Sequence, residues 1–201
     1  MRLVFFFATH REAAATLATV AAVEKAQGSG EYLFSGGEIH IGGMGMGAAQ
    51  ACASKAPSAG CRWVNIGIAG CLEKSVAIGT VLQVGTTSLL QWDVERNRYG
   101  YNSEETIVLD DSLAAALFSA PVPMYAPPDV HSALALVDME GYAFARVARD
   151  NNVPLSMVKV VSDFCTDTSH ATIRENVDSL SFRLAEVVVD FAKSSHINAG
   201  H

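Results

Sequence analysis

Three carboxylates stand where an α/β chain places its chemistry. Glu12 follows the apolar run 2–8, Glu140 follows the run 133–137, and Asp163 follows the run 155–161. In open α/β sheets ligands bind beyond the carboxyl ends of the strands, where loops and helix N-termini converge. Side chains leaving three such exits outline one pocket, lined by groups that hold or transfer protons. Two glycine turns, Gly43-Met44-Gly45 and Gly67-Ile68-Ala69-Gly70, leave strands at the same kind of position and let backbone approach a ligand closely. Each of these residues also has a purely structural reading. Asp163, preceded by Ser162, suits capping of the next turn. Glu12 and Glu140 each open a helix-like run, where the helix dipole favours a carboxylate. The glycines serve tight turns, and Met139 beside Glu140 suits core filling.

The elements that must position these residues alternate along the chain. The run 2–8 is continuously hydrophobic, as in a strand covered on both faces, and 11–27 carries helix-forming Ala, Leu and Glu. Short strands are expected over 31–35 and 38–42, then a glycine turn and a helix over 48–56. A buried strand over 62–68 and an alternating one over 80–90 follow, and the polar stretch 91–105 reads as loops over the surface. Pro121, Pro123, Pro127 and Pro128 exclude a helix there. The remainder reads as a strand at 133–137, a helix at 140–151, a strand at 155–161 and a helix at 173–193. The expected architecture is three-layer α/β, a central mixed sheet flanked by helices. Residues 1–195 are expected to form a single domain, with 196–201 a tail of the kind an expression vector adds.

Composition narrows the function. The 201 residues are 50% hydrophobic and 17% charged, which excludes disorder. The net charge of −7, with signs mixed and no basic run, leaves nucleic acid without an electrostatic footprint. No apolar run near the start is long enough to cross a bilayer, so no membrane partner is expected. Cys52, Cys61, Cys71 and Cys165 lack C-x-x-C spacing, and a chain of this length builds a core without disulfides, so reduced thiols in a cytoplasm are expected. The six histidines, at positions 10, 40, 131, 170, 196 and 201, contain no pair at metal-ligand spacing, so no metal is expected and each defaults to a surface or satisfied polar residue. Gly43-x-Gly45-x-x-Ala48 fits a loose dinucleotide pattern, but the next strand offers Asn65 where the ribose-binding acid belongs.

The segments Val137-Asp-Met-Glu-Gly-Tyr-Ala143 and Val158-Lys-Val-Val-Ser-Asp163, with Val153-Pro154 between them, resemble the nucleoside phosphorylase and nucleosidase superfamily. The branch most similar holds methylthioadenosine/S-adenosylhomocysteine (MTA/SAH) nucleosidases and futalosine hydrolases. The resemblance extends to Ala8-Thr-His-Arg-Glu12, Gly43-Met-Gly45 and Asn65-Ile-Gly-Ile-Ala-Gly70. It implies that Asp163 protonates the departing purine with Ser162 beside it, that Glu140 holds the ribose hydroxyls with Met139 packed on the sugar, and that Glu12 positions or deprotonates the attacking water. Gly45, Ile68, Ala69 and Gly70 complete the implied substrate site.

Cleaving an N-ribosidic bond builds positive charge on the sugar and negative charge on the base, which calls for a proton donor at the base and carboxylates near the ribose. The resemblance therefore implies hydrolysis of a 5′-modified purine nucleoside, releasing adenine or hypoxanthine, in methionine salvage or menaquinone biosynthesis. It implies no cofactor, a small-molecule purine nucleoside as partner and a homodimeric assembly. The glycine turns carry no Arg or Lys to hold phosphate, so water is the expected nucleophile. Two residues depart from the family pattern: Ile68 stands where relatives commonly have Ser, and Lys159 where they often have Arg. The segment 111–133 is short for a loop covering the base and the 5′ group, which suits a bulkier 5′ substituent. A phosphate-dependent phosphorylase and a non-catalytic nucleoside-binding protein are the alternatives.

Overall fold

β1 (Arg2–Phe7) lies at the middle of the molecule because its side chains are apolar on both faces. Leu3, Phe5 and Phe7 enter one hydrophobic cluster while Val4 and Phe6 enter another, the period of two that a strand imposes. The first cluster is closed by α1 (His10–Thr19) and α4 (Ser169–Ile197), the second by α2 (Met46–Ala53) and α3 (Gly141–Asp150). Helices, sheet and helices form the three layers expected from the sequence. This is a computed structural model, and it describes residues 1–197.

The sheet order is β10 (Ala135–Asp138), β9 (Ala115–Ser119), β6 (Val81–Asp93), β11 (Leu155–Asp163), β5 (Cys61–Cys71), β1, β4 (Gly37–Ile41), β3 (Glu31–Phe34) and β2 (Val23–Glu24). β7 (Arg98–Tyr101) and β8 (Ile107–Val108) pair with β6 off this path. β1 and β11 both run parallel to β5, so their carboxyl ends reach the same edge. β10 also pairs antiparallel with the far end of β5, Val137 opposite Gly70, which closes β5, β11, β6, β9 and β10 into a ring. That closure brings the exit of β10 to the exits of β1 and β11.

Several elements differ from the sequence expectations. The first helix stops at Thr19 rather than running to 27, because Ala21 takes φ +50° and Val23–Glu24 turns to pair with β3. The second helix starts at Met46 and ends at Ala53. Gly67 to Gly70 form no turn: they continue β5, paired with Lys159 to Asp163 of β11. The polar stretch 91–105 holds a hairpin of β6 and β7 in place of plain loop, sealed where Tyr101 meets Phe118 edge-on at 4.9 Å. β9, unassigned in the sequence, buries Leu117 and Phe118. α4 begins at Ser169 and continues to Ile197, past residue 195, while residues 198–201 of the expected tail lie outside the described residues. All four cysteines are free. Among the described residues, no helix is long and apolar enough to cross a membrane.

Candidate active site

One cavity of about 440 Å³ opens at the carboxyl ends of β1, β5, β10 and β11. Glu12 reaches it from the first turn of α1. Thr9 caps that helix by accepting from Glu12 N at 3.2 Å, and its hydroxyl donates to Glu12 Oε1 at 2.8 Å. The pair is a variant of the capping box, so Glu12 serves the helix as the structural reading holds and still faces the cavity. The room for it is made by Gly67: a Cβ there would lie 3.0 Å from Glu12 Oε2. Burial pushes the Glu12 carboxyl up. The Thr9 hydroxyl, the Lys159 charge and the Ile68 N–H pull against burial without cancelling it, and Asp138 adds to the rise.

Glu140 sits at the N-cap of α3 but makes no side-chain cap bond. That work falls to its neighbours: Asp138 accepts from Gly141 N at 2.9 Å, and Ser119 Oγ accepts from Tyr142 N at 2.8 Å. Glu140 is thereby released to accept from Gly45 N at 2.6 Å. Gly45 holds φ +88°, a backbone that favours glycine, and so turns its N–H toward the carboxylate. Burial and then the Asp138 charge push the Glu140 carboxyl up to about 7, against the pull of Gly45 N–H and Lys159.

Asp163 ends β11 with both oxygens engaged. Oδ1 accepts from Cys165 N at 2.8 Å, the turn-capping bond of the structural reading, and Oδ2 accepts from Ser162 Oγ at 2.7 Å. Both residues line the cavity. Gly70 is required beside them, since a Cβ there would collide with Cys165 Sγ and lie 3.1 Å from Asp163 Oδ1. Burial pushes the Cys165 thiol up to about 12, so it stays protonated.

The cavity thus brings together Glu12, Glu140 and Asp163 with Met139, Ser162, Ile68, Ala69 and Gly70. Gly45 lies behind Glu140 and does not line the cavity wall itself. Residues 122–125, within the segment expected to be too short to cover the site, also form part of the wall.

The sequence reading gave no role to Asp138 and marked Lys159 only as a departure. They form a fully buried pair, Lys159 Nζ to Asp138 Oδ2 at 2.9 Å, and Asp138 also accepts from Ser119 Oγ at 2.6 Å. The signal was present: a lysine inside the apolar run Val158-Lys-Val-Val of a covered strand demands a buried partner. Asn65, read only against the dinucleotide pattern, lines the cavity with its buried Oδ1 unpaired among the described residues. His170 and Arg174, four residues apart on α4, complete the wall. Among the described residues, no group of three or more His, Cys, Asp or Glu is arranged to hold a metal ion.

This architecture is the nucleoside phosphorylase-like fold, and residues 131–193, which carry Met139, Glu140 and Asp163, match the family model of the phosphorylase superfamily. Within that fold the chain is similar to solved MTA/SAH nucleosidases. A Chlamydia trachomatis nucleosidase variant bound to MTA superposes with a TM-score of 0.80 at 23% identity, over 96% of this chain and 98% of that one. The adenine-bound Chlamydia trachomatis nucleosidase gives 0.79 at 24% identity over the same shares. The Helicobacter pylori MTA/SAH nucleosidase with butyl-thio-DADMe-Immucillin-A gives 0.80 at 16% identity, again over 96% and 98%. A comparison with curated proteins gives no match.

Proposed function

We propose that the protein is a purine nucleosidase that hydrolyses the N-ribosidic bond of a 5′-modified purine nucleoside, of the MTA/SAH or futalosine/aminofutalosine kind, and releases adenine or hypoxanthine. The observation that carries this reading is the convergence of Glu12, Glu140 and Asp163 on one cavity of about 440 Å³, each from a different strand exit. Likeness of fold to nucleosidases that bind MTA and adenine supports it.

In this reading Asp163 donates the proton that lets the purine leave as a neutral base, and Ser162 steadies its carboxyl from Oδ2. Glu140 receives the ribose hydroxyls, held in place by Gly45 N–H, with Met139 against the sugar. Glu12, whose proton affinity is raised by burial, takes a proton from water as that water attacks the anomeric carbon. Electrons of the C–N bond pass to the base, and the new C–O bond completes the ribose product.

Water suits the site better than phosphate. The Gly45 N–H that a glycine loop would offer an anion is already bonded to the Glu140 carboxylate, and Lys159 is tied to Asp138. The experiment is chromatographic detection of free base from MTA, S-adenosylhomocysteine, futalosine, aminofutalosine and inosine, with and without phosphate. Release in the absence of phosphate is expected. Release only with phosphate overturns hydrolysis in favour of phosphorolysis, and binding without release from any substrate overturns the enzyme reading.

A further inference from the structure

The cavity has two ends of opposite character. Four buried carboxylates, Glu12, Asp138, Glu140 and Asp163, line it together with Lys159, whose ammonium is bonded to Asp138. Its exposed wall carries His170 and Arg174, four residues apart and therefore on one face of α4. Apolar side chains, Ile173 from α4 and Val122, Met124 and Tyr125 from the loop after β9, line the same space.

Arg174 is left without a counter-ion by a specific arrangement. Asp178 lies one helical turn on, the position from which a carboxylate ordinarily pairs with an arginine. It is gripped instead by Arg11, Nε to Oδ1 at 2.7 Å and Nη2 to Oδ2 at 3.0 Å. Arg11 Nη2 also donates to the Arg174 carbonyl at 3.2 Å, which fixes the helix turn but leaves the Arg174 side chain alone. Among the described residues the Arg174 guanidinium has no ion pair, in a chain whose net charge is −7.

We infer that the cavity takes nucleosides whose 5′ substituent ends in a carboxylate, received by Arg174 and His170. This rests on the nucleosidase reading above and names the substrate class within it. The arm runs along the apolar wall of Ile173, Val122, Met124 and Tyr125, and its anionic end meets the guanidinium fork, which matches a carboxylate with two parallel hydrogen bonds. His170 supplies an N–H donor whether its ring is neutral or charged. A short neutral 5′ group would end on the apolar wall and engage neither residue.

The test uses two probes that differ only at the arm's end, 5′-S-(3-carboxypropyl)-5′-thioadenosine and its carboxamide, and their inosine counterparts. Base release (kcat/KM) and equilibrium binding are measured for the wild type, Arg174→Met and Arg174→Glu. The wild type is expected to favour the carboxylate by about tenfold, one charge-assisted contact at a partly exposed site. Arg174→Met is expected to bring that ratio close to one, and Arg174→Glu to invert it. The ratio should also fall in high salt, because the contact is screened. A wild-type ratio near one, or a ratio unmoved by both substitutions, overturns the inference. Failure of the underlying reading is distinguishable: it shows as no base released from any nucleoside, while the binding ratio still decides for or against the carboxylate.

Discussion

Carboxylates are buried in two parts of this protein, under opposite arrangements of charge. Beside the outer strands, Glu38 of β4 is met by Arg2, by Lys25 Nζ at 2.5 Å and by His40 Nε2 at 2.9 Å. Burial pushes its carboxyl up, but hydrogen bonds from Lys25 and His40 and the charges of Lys25 and Arg2 outweigh it, and Glu38 is held below the ordinary carboxylate range. In the cavity the ratio is reversed. Glu12, Asp138 and Glu140 share the single ammonium of Lys159, and both glutamates are raised. The first cluster fixes its charge and ties β1 to β4. The second leaves two buried glutamates that hold their protons more tightly than usual, Glu12 and, at about 7, Glu140.

The largest effect that follows from this contrast belongs to the cavity. Asp163→Asn keeps a side-chain oxygen for Cys165 N but has no proton to give a departing base, so base release should fall by about 10³-fold with the thermal transition nearly unmoved. Glu38→Gln should show the reverse, a lower transition with base release retained. Chromatographic turnover beside circular-dichroism melts checks both, and near-normal turnover of Asp163→Asn would place the proton donor elsewhere. Next in size is Lys159→Met, which strands Asp138 as a buried charge. Urea unfolding should lose about 3 kcal/mol, the scale for breaking a buried pair from one side.

How much of this contrast was legible in the sequence depended on range. Most strands and helices of the core, β9 excepted, and the carboxylates at three strand exits follow from hydrophobic patterning because each is a local property of the chain. The pairing of Lys159 with Asp138 was hidden because it joins β11 to β10, which the ring closure through Val137 and Gly70 brings together. Gly67 to Gly70 read as a turn in the sequence for a similar, long-range reason. Glycines in a strand look like a break until the partner occupying their empty space is known, and that partner is Glu12 at one end and Cys165 at the other. The early stop of α1 at Thr19 was hidden too, since the run continues with helix formers and ends only because Val23–Glu24 finds β3.

The opposed shifts also give the two clusters opposite pH dependence. Glu140 is raised from 4.5 to about 7, so the stability it contributes is full below about pH 4.5 and is lost as pH rises through 7. Glu38 is lowered, so its contribution is present above about pH 4.5 and is lost as pH falls through its lowered value. Glu140→Gln keeps an oxygen for Gly45 N and removes the buried charge. At pH 8 it should be more stable than the wild type by about 2 kcal/mol, a difference that shrinks below pH 5. A variant less stable than the wild type at pH 8 would mean that the Glu140 charge is compensated after all.

The smallest effect is the sharpest test of how the clusters differ. Lys25→Met removes one of three partners from Glu38, and Lys25 is itself 30% exposed, so water already screens much of its charge. Arg2 and His40 remain in place, and Glu38 is not stranded. Urea unfolding should lose no more than about 1 kcal/mol, and the loss should shrink in high salt because the contact is partly solvated. Lys159→Met, with both charges out of reach of ions, should keep its larger loss at every salt concentration. Equal losses from the two lysines, with equal salt response, would mean that the number of cations around a buried carboxylate does not separate the cluster that holds strands from the one that faces the cavity.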